Sequence, residues 1–335
     1  MHKMRLVLMA TNKDRIQYLM LFIIVLLLSG CDSGDKNKKW NSTGKELSTT
    51  EVSDKVTITI GDIDPDTPTN RMKKILPLAQ LLARELGWHE SRVKIRIVKS
   101  IEDATLMIKN NQIDLLMDSS FPILLVQKNS DTKIILELPV MGKRTYKTLF
   151  ITSKSSAIKS LENLKGKTIA LQERYSTSGY LLPAFHIISN GYNLTDVTTL
   201  SGGDTMPTDS IGYIFSGDEE NTLLLIRKDL VAAGVLSSHD YQQLSEQTKN
   251  DIVVIAETQE IPRKFAAIRS GVDEALQEKI IHILLSINDS DRINMGKANS
   301  WKWRFVPLDE QSRTGIKAIE NMMLVLNPLL ENRVE

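Results

Sequence analysis

Val56-Thr57-Ile58-Thr59-Ile60 alternates apolar and polar side chains, the two-residue period of a strand with one buried face, and a turn is expected at Gly61-Asp62. Beyond Pro68 the period changes. Apolar residues at 72, 75, 76, 79, 82, 83 and 86 share one side of a helix that Gly87 should stop. Val93-Lys94-Ile95-Arg96-Ile97 alternates again, and a helical pattern over Ile101–Asn110 leads into the apolar run Ile113–Met117. Strand, helix, strand, helix, strand in this order predicts a parallel sheet with helices on its faces.

The pattern restarts in mid-chain. Thr148–Thr152 reads as a strand, Leu161–Gly166 as a short helix with a turn, Thr168–Leu171 as a strand, and Gly179–Ser189 as a helix stopped at Asn190-Gly191. Further strands are predicted over Leu230–Val235 and Ile252–Ala256, and amphipathic helices over Val272–Ile287 and Ile316–Leu326. Two α/β units connected near residues 146–156, with a return near 254–262, leave room for a ligand cleft between them. The expected division is 55–150 with 257–335 in one lobe and 151–256 in the other, preceded by an export signal over 1–30 and a tether over 31–54.

The compartment follows from the start of the chain. Lys3, Arg5, Lys13 and Arg15 precede the uncharged Leu19–Leu28, which is too short to span a bilayer and has the size of a signal-peptide apolar core. The stretch Leu28-Ser29-Gly30-Cys31 resembles a bacterial lipobox, which implies that Cys31 is lipidated and becomes the mature N-terminus. An uncleaved N-terminal anchor is the alternative, and it also leaves the rest of the chain outside the cytoplasmic membrane. Cys31 is the only cysteine, so an intrachain disulfide or a cysteine-based zinc site is excluded. Asp32 resembles an inner-membrane retention signal of enteric-type sorting, and the polar, aperiodic residues 32–54 read as a flexible tether. With 42 Lys and Arg against 41 Asp and Glu, the net charge of +1 argues against a nucleic-acid partner reached by bulk electrostatics.

Several constellations have a plain explanation. Ser237-Ser238-His239-Asp240 holds the residue types of a hydrolase triad, but triad members meet across a fold, so a serine-capped helix start is the better reading. His2, His89, His186 and His282 lack paired ligand spacing, and no metal site is expected. "GDIDPDTPTN" (61–70) is interrupted by Pro65 and Pro68 and lacks the closing glutamate of a calcium loop, so it reads as a cleft-facing loop. Met322 and Met323, with Trp301 and Trp303 upstream, are expected on a C-terminal segment packed against the first lobe. Neither a catalytic constellation nor a cofactor motif stands out.

The most informative stretch is "ERYSTSGYLLP" (173–183), where Ser176, Thr177, Ser178 and Gly179 open the predicted helix that follows strand Thr168–Leu171. Free backbone N–H groups and the positive end of a helix dipole favour an anion there, and hydroxyls add donors without adding charge. A serine in that place is equally an ordinary N-cap. The longer run 146–193 resembles the substrate-binding proteins of phosphonate, phosphite and phosphate ABC importers. The matching elements are Tyr146 before a strand, Ser155–Ile158, Leu161-x-x-Leu164-Lys165-Gly166-Lys167, Ser176-Thr177-Ser178-Gly179-Tyr180, Pro183 and Gly191. The resemblance extends more weakly over Asp62–Gly87, Asp114–Phe121, residues 211–244 and Ile261-Pro262, and so covers most of residues 56–290.

That resemblance implies the α/β type 2 periplasmic-binding-protein fold, two α/β lobes joined by a two-strand hinge and closing on a small oxyanion. It implies that Ser176, Thr177 and Ser178 grip the oxyanion and that Tyr146 lines the cleft near the hinge. Asp118, Ser119, Ser120 and Phe121 would face the cleft from the first lobe. Two departures stand out. Where the family shows Gly-Ser-His this chain has Gly217-Asp218-Glu219, and an aspartate fifteen residues beyond that glycine becomes Ala232 when counted without a gap. A Glu219 carboxylate beside an anion would be repulsive by about 4 kcal/mol at ~4 Å for an effective dielectric of ~20, which argues against an aminoalkylphosphonate held in the family's usual way. The expected function is binding of a small oxyanionic ligand and its delivery to an ABC permease, without enzymatic activity. The alternative is a ligand-sensing subunit of a membrane signalling protein with a changed ligand.

Overall fold

The computed structural model describes residues 56–64, 67–199, 207–287 and 304–331. The signal segment, Cys31, the tether, residues 201–205 and Trp301 and Trp303 lie outside the described residues. In chain order the first part contains β1 (Ile58–Ile63), α1 (Pro68–Glu85), β2 (Val93–Val98), α2 (Ile101–Lys109), β3 (Leu115–Ser119), α3 (Ser120–Asn129), β4 (Thr132–Glu137) and β5 (Thr145–Tyr146). The middle holds β6 (Thr148–Ser153), β7 (Thr168–Leu171), α4 (Leu182–Ser189), β8 (Asn193–Asp196), β9 (Ser210–Phe215), α5 (Glu219–Arg227), β10 (Ala233–Ser237), α6 (Ser238–Gln243), α7 (Glu246–Asp251) and β11 (Ile252–Glu257). The chain closes with β12 (Ile261–Pro262), β13 (Lys264–Arg269), α8 (Glu274–Ser286), β14 (Val306–Pro307), α9 (Glu310–Val325) and α10 (Asn327–Glu331).

These elements build two six-stranded sheets, one per lobe. The first has the order β14-β4-β13-β3-β1-β2, with β2, β1 and β3 parallel and β13 antiparallel between β3 and β4. The second has the order β11-β6-β10-β7-β9-β8, with β10, β7, β9 and β8 parallel and β6 antiparallel. Alternation along the central strands divides the side chains between two layers of helices. Leu115, Met117, Ala266 and Ile268 pack with Ile75, Leu78 and Leu82 of α1 and Ile280 and Leu284 of α8. Leu116, Phe265 and Ala267 pack on the other face with Ile108 of α2 and Ile123 and Val126 of α3. In the second sheet Ile169, Leu171 and Val235 meet α4, while Ile151, Ala170 and Leu236 meet Leu223 and Ile226 of α5.

Several predicted boundaries move for identifiable reasons. The expected turn at Gly61-Asp62 is continuous β1, because Gly61 is needed for close packing: a Cβ there would lie 2.7 Å from Ile113 Cγ2. The strand expected from Leu230 begins at Ala233. Asp229 has φ +56° and Leu230 is 67% exposed, so the chain is still turning. The helix expected from Gly179 opens with a wide π-type turn over Thr177–Leu181 before α4 begins.

The lobes are joined by antiparallel pairing of β5 with β12, Tyr146 opposite Ile261 and Thr145 opposite Pro262. Helix α9, the long helix near the C-terminus, seals this hinge. Ile319, Met322, Met323 and Leu326 share a core cluster with Phe121 and Leu124 of α3, Tyr146 and Ile261 of the hinge, and Tyr180 and Leu181 of the second lobe. The expected packing against the first lobe is present through Phe121 and Leu124, and the same cluster extends to the hinge and the second lobe. Arg144, next to β5, binds Glu137 at 2.6 Å and Asp309, the N-cap of α9, at 2.7 Å, and it also donates to Ser312. Gly315 brings the helix onto the hinge: a Cβ there would lie 2.2 Å from Pro262 Cδ. Gly315→Ala is expected to lower stability by roughly 1–3 kcal/mol from overpacking, outweighing the ~1 kcal/mol that alanine gains in a helix interior. Urea denaturation of the two proteins checks it, and a gain in stability would contradict the contact.

Candidate functional site

The carboxyl ends of β1, β3, β7, β9 and β10 converge between the lobes, the usual place for a ligand in open α/β sheets. A cavity of ≈ 700 Å³ lies there, its wall containing Arg71 and Lys74 of α1, the 138–141 segment, Glu219 of α5, His239 and Asp240 of α6, Arg263 and Lys264 after β12, and Arg304. Five cations face two carboxylates, a formal surplus of three positive charges before His239 is considered.

Beneath the wall is a buried charged group. Asp62, at the end of β1 and 2% exposed, accepts from Arg71 Nε at 2.6 Å, and Asp64 stands 3.9 Å from the same nitrogen. Burial pushes the Asp62 carboxyl up to about 7; Arg71 and Lys264 oppose the shift and Asp118 reinforces it. Burial likewise pulls the Lys264 ammonium down to about 8, helped by Arg71 and opposed by Asp118 and Asp62. Asp118, the penultimate residue of β3, is itself buried.

The hydroxyl cluster opens the turn before α4 and is not among the residues lining this cavity. Ser176 caps the turn, its Oγ accepting from Gly179 N at 3.0 Å. Thr177 is buried and its Oγ1 accepts from Phe121 N, the start of α3 in the other lobe, at 3.0 Å. The Ser178 carbonyl accepts from Thr148 Oγ1 at 2.7 Å. The Tyr146 hydroxyl meets the Thr177 and Ser178 side chains, and burial outweighs those contacts to push it up to about 12. The Arg263 guanidinium lies over the Tyr146 ring, 5.2 Å from its centroid, so this tyrosine is in contact with a residue of the cavity wall. Gly179 is required by crowding, since a Cβ there would lie 2.5 Å from Gln172 Cβ.

The remaining predicted residues separate. Glu219 stands on the cavity wall, where desolvation raises its carboxyl and Asp240, Asp218 and Glu220 add repulsion. Ser119 is the residue before α3, and its side chain makes no capping bond. Ser120 is fully buried and its hydroxyl donates to the Pro262 carbonyl at 2.8 Å, tying α3 to the hinge. Ala232 lies before β10, at the end of the strand remote from α6, and lines a different depression beside Thr152 and Lys167. A gapless count therefore lands at the wrong end of the strand, and Asp240 is the carboxylate that β10 delivers to the cavity. Ser237 caps α6 as expected, accepting from Asp240 N at 3.1 Å. Among the described residues no group of three or more His, Cys, Asp or Glu is placed to hold a metal, and no helix is long and apolar enough to cross a membrane.

Sequence reasoning did not assign Asp62, Arg71, Lys74, Asp240, Arg263, Lys264 or Arg304 to the site. The available signals were the cleft-facing reading of 61–70 and the Arg263-Lys264 pair directly after Ile261-Pro262.

Two measurements probe this geometry. Thr177→Val removes the acceptor of a buried N–H and is expected to cost about 1–3 kcal/mol; a loss below about 0.5 kcal/mol in denaturant melts would show that the bond is dispensable. Asp62 binds more protons folded than unfolded between its ordinary 3.8 and about 7, so it lowers stability progressively as pH rises through that window. Lys264 binds fewer protons folded between about 8 and its ordinary 10.5, so it raises stability as pH rises there. Melting temperature followed against pH in Asp62→Asn should lose the fall between about pH 4 and 7 and keep the rise above 8.

A family model described as "ABC transporter, phosphonate, periplasmic substrate-binding protein" matches residues 63–312. XAC2383 from Xanthomonas citri bound to chloride ion is similar at 26% identity and a TM-score of 0.74, over 82% of this chain and 99% of that one. The same protein bound to ATP matches at 26% identity and 0.71, over 84% and 100%. PhnD1 from Prochlorococcus marinus in complex with methylphosphonate shares the fold at 17% identity and a TM-score of 0.60, over 81% and 98%. The two lobes, the two-strand hinge and the cavity between them agree with this match over most of the chain, which belongs to the family of periplasmic substrate-binding proteins of phosphonate-type ABC transporters, a transport family and not an enzyme class.

Proposed function

We propose that this chain is a lipid-anchored, extracytoplasmic binding protein that holds a small oxyanion of phosphate or phosphonate type by hinge closure and presents it to an ABC importer. The observation that carries this reading is the cationic wall of Arg71, Lys74, Arg263, Lys264 and Arg304 in the interlobe cavity. Cationic donors there supply charge-assisted bonds to oxyanion oxygens. Tyr146, Ser176, Thr177, Ser178 and Gly179 take part from the second lobe and hinge, Ser119 and Ser120 from the start of α3, and Glu219 from the opposite wall. Cys31 carries the lipid and holds the protein at the periplasmic face of the membrane. Residues 1–30 are the signal, 31–54 the tether, 55–150 with 257–335 the first lobe, and 151–256 the second.

A second reading has its own support. Glu219 and Asp240 on the wall oppose a compact dianion, and the similar XAC2383 has been solved with ATP. A larger anion whose hydrogen-bond donors meet these carboxylates fits a sensing subunit that reports to a membrane signalling protein. A thermal-shift series on the full chain in detergent tests both, with phosphate, methylphosphonate, sulfate and ATP as ligands. Binding at about 100 times Kd adds roughly 2.7 kcal/mol, and Arg263→Gln should remove most of that shift. A shift with ATP alone would favour sensing, and no shift with any anion would sink the oxyanion reading.

A further inference from the structure

Arg71 has two claims on it. Its side chain forms part of the cavity wall, yet its Nε is held by a carboxylate that is not part of that wall, Asp62, at 2.6 Å. An oxyanion seated among the wall cations must draw on the same guanidinium. The groups around Asp62 are Arg71 from α1, Asp118 from the end of β3, Lys264 from β13, and Asp64, which follows β1 and sits 3.9 Å from Arg71 Nε. The paired strand β2 presents Ile97 opposite Asp62 and Val98 opposite Ile63, so it adds no charge. Two buried carboxylates, Asp62 and Asp118, thus meet two half-buried cations, Arg71 and Lys264, the pair that also faces the cavity.

We propose that the cleft takes up its oxyanion together with one proton, which Asp62 accepts as Arg71 turns from that carboxylate to the ligand. The proposal rests on the oxyanion reading above and adds how binding is regulated. A buried carboxylate deprived of its guanidinium and placed behind a new anion is strongly disfavoured, and protonation removes the charge. The exchange is accessible near neutrality because burial already holds the Asp62 carboxyl at about 7, with Asp118 adding to the shift. Lys264 acts in the same sense: an anion on the wall favours its charged form, which burial has brought down to about 8. Both groups therefore gain proton occupancy on binding, and affinity falls as pH rises. Ligand would be held more tightly in an acidified compartment and released more readily in an alkaline one.

Sulfate is the probe, because it does not titrate between about pH 6 and 8, and the full chain in detergent is the sample. Calorimetry in buffers of different ionisation enthalpy should show uptake approaching one proton per sulfate at about pH 7.5. Affinity should fall toward tenfold per pH unit above the Asp62 midpoint. Asp62→Asn should flatten the dependence below about pH 7.5. Asp118→Asn, which keeps the Asp62–Arg71 pair, should move the midpoint to lower pH. Infrared difference spectra without anion give an independent reading: a protonated carboxyl band present at pH 6, lost by pH 8 and absent from Asp62→Asn. Sulfate binding equal at pH 6 and 8 within twofold, an unchanged slope in Asp62→Asn, or an Asp62 already ionised at pH 6 would each overturn the coupling and leave oxyanion binding standing. Failure of sulfate and phosphate to bind at any pH, with the Asp62 band still present, would overturn the oxyanion reading itself and the coupling with it.

Discussion

Two short backbone segments, Thr145-Tyr146 and Ile261-Pro262, pair as the hinge between the lobes, and much else in the molecule is arranged around that pairing. Hinge residues must absorb changes in backbone angle when lobes close, so they cannot be packed as rigidly as a sheet interior. Here the hinge is instead held from outside. Helix α9 lies on Pro262 through Gly315 and is fastened by Arg144 to Glu137 and Asp309, while Ser120 at the head of α3 donates to the Pro262 carbonyl. The same few residues end the hinge and begin the site. Tyr146 pairs with Ile261 on its backbone and meets Thr177, Ser178 and Arg263 with its side chain, so hinge angle and site geometry are mechanically one variable.

The second constraint is desolvation. Strand ends that converge between lobes bury whatever polar groups they carry, and charges there are tolerated only when paired. Asp62, Asp118, Arg71 and Lys264 satisfy this by mutual neutralisation, with burial still large enough to bring one carboxyl and one ammonium toward neutrality. Farther toward solvent the rule relaxes. Lys74 and Arg304 line the wall closer to water, which screens them, whereas Glu219 there still has its carboxyl raised by desolvation.

Local periodicity made the parallel strands and long helices legible, because Ile58–Ile63 and Pro68–Glu85 declare their buried faces in a single window. It did not reveal β13 or β9. Lys264–Arg269 is a short run bounded by charges, and Ser210–Phe215 follows a polar loop, so each is defined as a strand by its neighbours in the sheet. The site shows the same limit. Ser176–Ser178 announced itself through a local motif, whereas Arg71, Asp240 and Arg263 lie far apart in sequence and acquire meaning only where three chain crossings meet. The Ala232 comparison failed for a related reason: counting residues cannot say which end of a strand faces a cleft.

The hydroxyl cluster shows how one motif can serve as cap, joint and binding element without contradiction. Ser176 accepts from Gly179 N and so spends a lone pair on the cap. Thr177 accepts from Phe121 N across the lobes and keeps its own proton to donate. A hydroxyl that accepts from one lobe and donates toward the hinge tyrosine is polarised along that chain of bonds, and bonds in such chains strengthen one another in a low-dielectric setting. Arg263, stacked on the same tyrosine ring, extends the chain to the cavity wall. An anion drawn to Arg263 would therefore pull on a continuous line of contacts from ligand to tyrosine to threonine to the first turn of α3. A line of that kind would couple ligand charge to lobe position through Tyr146 and Thr177.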